Sequence, residues 1–193
     1  MIPFKKLDYN LDNVWVTSDT HYSHKNIVKG ISTWNSGYRD FQTLQEHDDC
    51  IVNNINKYVK KDDLLIHLGD WSFGGKDKIK EFLDRINCKN IILIQGNHDH
   101  HINNNIEGFL EFNQIGFYKI EDFCFVMCHY PMLEWYGKFK ESIHLFGHVH
   151  NQLKTNNNSL DVGIDSAFEK LGEYRPFSIK EVINYLKLYN NLI

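Results

Sequence analysis

The residues that could carry chemistry stand where apolar runs stop. Asn90-Ile91-Ile92-Leu93-Ile94 is a continuous aliphatic run of the kind that forms a buried parallel strand, and it ends in Gln95-Gly96-Asn97-His98-Asp99. An amide, an imidazole and a carboxylate in succession are costly to bury unless something pairs with them. The same grammar recurs along the chain. Val14 to Ser18 leads into Asp19-Thr20-His21, Leu64 to Leu68 into Gly69-Asp70, Phe123 to Cys128 into His129, and Ile143 to Phe146 into Gly147-His148-Val149-His150. Alternate residues of an extended segment point the same way, so Asp19 with His21, and His148 with His150, can each present two ligands to one side. Collected, Asp19, His21, Asp70, Asn97, His129, His148 and His150 supply four imidazoles, two carboxylates and an amide, with no thiolate. That mixed set suits Mn²⁺, Fe, Zn²⁺ or Ni²⁺ rather than Ca²⁺ or an iron–sulfur cluster. It exceeds the needs of one tetrahedral zinc. Two metals sharing a bridging carboxylate fit better, at the spacing of about 3.5–4 Å that clamps an in-line phosphoryl displacement.

Such strand ends meet only if sheets gather them, and in open α/β sheets the ligand crevice lies beyond the carboxyl ends of the strands. The connecting segments read accordingly. Asp40 is a plausible N-cap for a helix from Phe41 to about Tyr58, where Leu44, Ile51, Val52 and Ile55 keep a helical period. A second helix carries Ile79, Phe82, Leu83 and Ile86 on one face, completing a βαβ unit from Leu64 to Ile94. Past Asp99, His100 and His101 read as solvated loop, leading to a short helix around Ile106 to Phe112. Phe117 to Ile120 and Phe123 to Cys128 form an antiparallel pair that opens a second sheet, and Pro131 stops its ladder. Trp135 and Tyr136, in the loop or short helix from Met132 to Lys140, read as packing residues. A turn at Asn156 to Ser159 precedes a strand from Leu160 to Ile164, and Pro176 with Ser178 opens a last helix, Ile179 to Leu188.

At 193 residues the chain suits one domain spanning positions 1–193. A net charge of −4 argues against a broad nucleic-acid surface, and three arginines (Arg39, Arg85, Arg175) leave little bidentate phosphate-binding capacity. Positive charge for an anionic substrate would then come largely from metal. No apolar run approaches a signal sequence or a membrane span, so the expectation is a soluble, cytoplasmic protein. Cys50, Cys88, Cys124 and Cys128 include no Cys-x-x-Cys pair and read as reduced packing residues.

Asp-x-His, Gly-Asp, Gly-Asn-His-Asp, a lone His after a strand and Gly-His-x-His, in that order from Asp19 to His150, resemble the calcineurin-like metallophosphoesterase superfamily. Ser18-Asp19-Thr20-His21, Arg39-Asp40-Phe41 and Tyr174-Arg175-Pro176 resemble its small single-domain bacterial and phage branch. The resemblance implies a four-layer αββα sandwich of mixed sheets. It implies one metal held by Asp19, His21, Asp70 and His150, another by Asp70, Asn97, His129 and His148, and His98 as the acid near the leaving group, oriented by Asp99. Protein serine/threonine phosphatases of the superfamily continue Gly-Asp as Gly-Asp-x-x-Asp-Arg-Gly. Here Phe73 and Gly74 stand in place of that Asp and Arg, which removes the phosphate clamp and demotes a protein-phosphatase reading. The leading expectation is a dinuclear phosphoesterase, with Mn²⁺ first among the metals, that uses metal-activated hydroxide on a small or nucleotide-like phosphodiester. Alternatives are a phosphomonoesterase, with Arg39 as phosphate clamp and His24 as a further substrate contact, or a noncatalytic module that keeps the fold. Modules of the last kind typically lose ligands or the acid histidine, and every position is present here.

Overall fold

A computed structural model describes residues 4–35, 37–102, 107–154 and 158–190. Among the described residues ten strands form two five-stranded sheets. In chain order the strands are β1 (Lys5–Lys6), β2 (Val14–Thr17), β3 (Leu64–His67), β4 (Asn90–Ile94), β5 (Glu111–Asn113), β6 (Ile115–Ile120), β7 (Phe123–Cys128), β8 (Ile143–Phe146), β9 (Ser159–Asp161) and β10 (Phe177–Ser178). The helices are α1 (Leu44–Tyr58), α2 (Gly75–Arg85), α3 (Ile164–Leu171) and α4 (Ile179–Asn190). One sheet runs β10-β2-β3-β4-β5, parallel except for β10; the other runs β1-β6-β7-β8-β9, with β6 and β7 antiparallel. Two mixed sheets and four helices give the α/β sandwich class that the sequence leads one to expect.

The alternation of side chains along each strand divides the core. Val16, Ile66 and Ile94 meet Ile120, Met127 and Leu145 of the second sheet in one cluster, which Val182 and Leu186 of α4 join. Leu65, Ile91 and Leu93 point the other way, onto Ile51 and Ile55 of α1 and Ile79 and Phe82 of α2. Parallel strands covered on both faces account for the unbroken aliphatic runs. Trp135 packs on the His144 ring and Tyr136 on Phe4, as packing residues should.

Several boundaries differ from the sequence reading. The cap of α1 is Thr43, in a reciprocal capping box with Glu46, while Asp40 is exposed and pairs with Lys29 at 3.4 Å. Thr-x-x-Glu satisfies two terminal N–H groups at once, which a lone Asp further upstream cannot do. The helix expected around Ile106 to Phe112 is in its described part an approach to strand β5, drawn into extended form by pairing with β4; residues 103–106 lie outside the description. The strand expected over Leu160 to Ile164 ends at Asp161, and α3 begins at Ile164. Leu160, Val162 and Ile164 alternate like a strand, but from Ile164 the apolar period becomes helical through Ala167 and Leu171. The turn at Asn156 lies partly outside the described residues. At α4, Ser178 and Glu181 form the expected start, each side chain accepting the other's backbone N–H.

Candidate metal centre

Strands β2, β3 and β4 run parallel and in register, Thr17 beside His67 and His67 beside Leu93, so Asp19, Asp70 and Asn97 emerge at one end of the sheet. His129 follows β7, and His148 and His150 follow its parallel neighbour β8. The two sheets bring these ends together. The backbone N–H groups of Asp19 and His21 donate to the carbonyls of Gly69 and Asp70, and the His148 N–H crosses to Asp19 Oδ2 at 2.9 Å. Asp19, His21, Asp70, His148 and His150 all adopt left-handed φ, between 46° and 70°. Non-glycine residues held there cost of order 1–3 kcal/mol each and persist where the surroundings impose them, characteristically at functional sites. Gly96 and Gly147 serve close approach: a Cβ on either would collide with the carboxylate of Asp70 or Asp19 respectively.

The expected ligand atoms converge. His21 Nε2 lies 3.8 Å from Asp19 Oδ1 and 3.7 Å from Asp70 Oδ2, and His150 Nε2 lies 3.8 Å from Asp19 Oδ1. On the other side of Asp70, His129 Nε2 is 3.6 Å from Oδ2, and Asn97 Oδ1 lies 3.0 Å from His129 Nε2 and 2.9 Å from His148 Nδ1. Two ligand groups follow among the described residues, Asp19 with His21 and His150, and Asp19 with Asp70 and His129, each with donor atoms within 4.8 Å of one another.

The chemistry of these donors fits a divalent cation. Asp19 Oδ1 and both ring nitrogens of His21 are buried without a hydrogen-bond partner, an expensive condition unless something cationic meets them. His129 Nδ1 donates to the Leu68 carbonyl at 2.7 Å, which turns the lone pair of a neutral ring at Nε2 toward the Asn97 oxygen, acceptor facing acceptor. Burial, reinforced by His148 and His150, pushes His129 down to about 4, so the ring is neutral. Burial likewise holds His21 well below the usual histidine range. Burial lifts Asp19 to about 6, and burial with the adjacent Asp19 charge lifts Asp70 to about 8. Two carboxylates crowded into a buried cleft beside the neutral rings of His21 and His129 leave a place for the positive charge that a metal brings, although Asp165 and Asp19 raise His150 against its burial.

Other candidates have different placements. His98 donates its backbone N–H to Asp70 Oδ1 at 2.9 Å, and its half-exposed ring brings Nε2 to 3.9 Å from Asp70 Oδ2. Asp99 holds backbone rather than the His98 ring: its carboxylate accepts the N–H groups of Asp70, Trp71 and Gly96 at 2.8, 2.9 and 2.8 Å, pinning two ligand loops together. Arg39 is withdrawn from any substrate. Its guanidinium is fully buried, bonded through Nε and an amino group to both oxygens of Asp165 and through its amino groups to the carbonyls of Thr20 and Asp19. His24 stacks on Phe73, ring centroids 3.6 Å apart, at the border of the cleft, with burial pushing it down to about 4.

The sequence reading missed Asp165. Its Oδ2 lies 2.6 Å from His150 Nδ1, which fixes that ring and aims Nε2 at Asp19. Burial alone would raise the Asp165 pKa, but Arg39 and His150 hold it well below the usual carboxylate range. The signal was one more apolar run ending in carboxylates, Leu160-Asp161-Val162-Gly163-Ile164-Asp165.

Converging parallel strand ends that deliver carboxylate, imidazole and amide donors to one cleft define a metallophosphoesterase class of site. The calcineurin-like phosphoesterase family model matches residues 13–162, and the chain belongs to that family. Members bind divalent metal ions and hydrolyse phosphoesters. Among curated proteins, uncharacterized protein MJ1445 of Methanocaldococcus jannaschii is 32% identical over 92 residues, 47% of this chain and 48% of that protein. The chain thus spans about half the length of that curated relative. Among solved structures, the protein of unknown function AQ665 from Aquifex aeolicus superposes with a TM-score of 0.64 at 24% identity, covering 89% of this chain and 98% of that one, a likeness of fold. Pseudomonas putida nuclease MPE aligns with a TM-score of 0.45 at 16% identity over 74% of this chain and 64% of that one.

Proposed function

We propose that this protein is a dinuclear-metal phosphodiesterase acting on small or nucleotide-like esters, with Asp70 as the carboxylate shared by both metals and His98 as general acid. The observation that carries the reading is the position of Asp70 Oδ2, 3.7 Å from His21 Nε2 and 3.6 Å from His129 Nε2, within reach of one expected ligand of each metal position. Asp19, His21, Asp70 and His150 would hold one ion, and Asp70, Asn97, His129 and His148 the other; Mn²⁺ is the first candidate for this donor set. When bound, the ions would supply charge neutralisation for the phosphate and a lowered pKa for the attacking water. His150 is held to one tautomer by Asp165, and His129 by the Leu68 carbonyl, so both offer Nε2 to the cleft. His98 stands beside Asp70 with its ring partly open to solvent, able to give a proton to a departing alkoxide and recover one from water.

The burial of Arg39 supports the diester over the monoester reading. A monoester dianion needs more positive charge than a diester monoanion, and the arginine that could have supplied it is committed to Asp165. Four free cysteines suit a reducing compartment such as the cytoplasm, and no described helix is long and apolar enough to cross a membrane. The test is hydrolysis of phosphomonoesters, linear diesters and cyclic nucleotides by the Mn²⁺-loaded protein. Linear diesters turning over fastest supports the reading, and monoesters doing so overturns it.

A further inference from the structure

Beside the metal centre lies a pocket of about 470 Å³ that the ligand set does not use. Phe73, His98, His100, His101, Ile79 and Ile102 contribute to its wall. His98 belongs to both places: its Nε2 lies 3.9 Å from Asp70 Oδ2, and the same residue lines the pocket. A group protonated by His98 would therefore depart beside this cavity.

The lining says what kind of group fits. Among the described residues no lysine or arginine contributes, so none of them answers a second phosphate or a carboxylate. The acidic residue of the described lining, Asp99, already accepts three backbone N–H groups. What remains is aromatic and aliphatic, with Phe73 4.6 Å from the His98 ring, centroid to centroid, and His100 4.2 Å from His101. Ser72, 7% exposed, also lines the pocket, and its hydroxyl has no hydrogen-bond partner. Apolar walls, ring faces and one unspent polar group make a small-molecule recognition site. We infer that this pocket receives the leaving group of the substrate, and that this group is an uncharged, ring-bearing alcohol such as a nucleoside, stacked on Phe73 and hydrogen-bonded by Ser72. The inference rests on the phosphodiesterase reading for the word leaving, but the pocket's preference for a neutral ring can be measured without turnover.

Two measurements separate the two ideas. Adenosine binding to the metal-loaded protein, followed by calorimetry, should weaken roughly tenfold in Phe73→Leu, the scale of a lost stacking contact, and measurably in Ser72→Ala with both metals retained. Kinetically, the KM of methyl trifluoroethyl phosphate divided by that of methyl nitrophenyl phosphate should fall about tenfold in Phe73→Leu, because only the second leaving group carries a ring. Damage to the metal centre would move both KM values alike and leave the ratio unchanged. Adenosine binding that the variants leave untouched, or absent from the wild type, overturns the pocket assignment. Adenosine binding that responds to the variants while neither diester is hydrolysed keeps the pocket and overturns the diesterase reading instead.

Discussion

Replacing Arg39 by Met separates two accounts of that residue. Its guanidinium is fully buried, at 2.8 and 2.7 Å from the Asp165 oxygens, 3.0 Å from the Thr20 carbonyl and 2.6 Å from that of Asp19. The two carbonyls belong to the strained loop that bears Asp19 and His21, and Asp165 fixes His150. Arg39 thus ties three proposed ligands of one metal position, Asp19, His21 and His150, to a single cation. Removing one partner of a buried ion pair costs about 3–5 kcal/mol, because the remaining charge is left uncompensated. The two stranded carbonyls push the result toward the upper end, since each buried acceptor without a donor costs about 1–3 kcal/mol and the terms overlap. Urea unfolding of the metal-free Arg39→Met protein should therefore show a loss of about 5 kcal/mol, a large part of the roughly 5–15 kcal/mol that holds a domain folded. Asp165→Leu should destabilise similarly, and the double variant by less than the sum, because the two residues share one interaction. A stability change within about 0.5 kcal/mol, the range for an uninvolved surface position, together with a raised KM, would refute this reasoning and restore Arg39 as a phosphate clamp.

If Asp70 is shared by two metals, as proposed, Asp70→Asn should weaken both while Asp19→Asn spares the position at Asn97, His129 and His148 more; elemental analysis that finds one metal lost and the other fully retained in Asp70→Asn contradicts the bridge. In the metal-free protein, burial and the Asp19 charge lift Asp70 to about 8, against an unfolded carboxylate value of about 3.9. The folded state then holds the extra proton, so this contribution to stability is complete below the unfolded value and is lost as pH rises through the folded one. Buried neutral histidines such as His129 act in the opposite sense, but only below the unfolded histidine value of about 6.5. Above that value the chelated protein should lose stability as pH rises toward 8, an effect suppressed with Mn²⁺ bound and reduced in Asp70→Asn to the part that His150, raised by Asp165 and Asp19 against its burial, contributes in the same sense; a flat profile in chelator would count against the carboxylate crowding. His98→Ala should keep both metals and lose roughly 10²–10⁴-fold on alkyl or nucleoside diesters but much less on a nitrophenyl diester, whose leaving group needs no proton; equal losses would sink the acid assignment.

The strand grammar made the strands that bear the cleft residues legible, because a parallel strand covered on both faces must be apolar until it ends, and polar residues at that end face the crevice. Asp19, His21, Asp70, Asn97, His129, His148 and His150 were all found this way, and the structure brings them together. The supporting residues were hidden for the same physical reason. Arg39 sits in a segment with no period, so nothing local reveals that its charge is spent on Asp165, 126 positions away. Asp165 itself was obscured because Gly163 joins a strand to a helix whose first residues continue the alternation of the strand. Asp99 lies in a motif that names it beside His98, whereas its oxygens are claimed by the N–H groups of Asp70, Trp71 and Gly96, a choice made by loop geometry rather than residue type.

In the proposed reaction two metals, joined at Asp70, perform phosphodiester hydrolysis. This is tested most directly by adding Mn²⁺ stepwise to chelator-stripped protein while following both bound metal and turnover of a nitrophenyl diester. Little activity should accompany the first equivalent, full activity should come with the second, and Asp70→Asn should abolish the rise. Full activity at one bound metal, or two metals bound without diester hydrolysis, would contradict the proposed reaction.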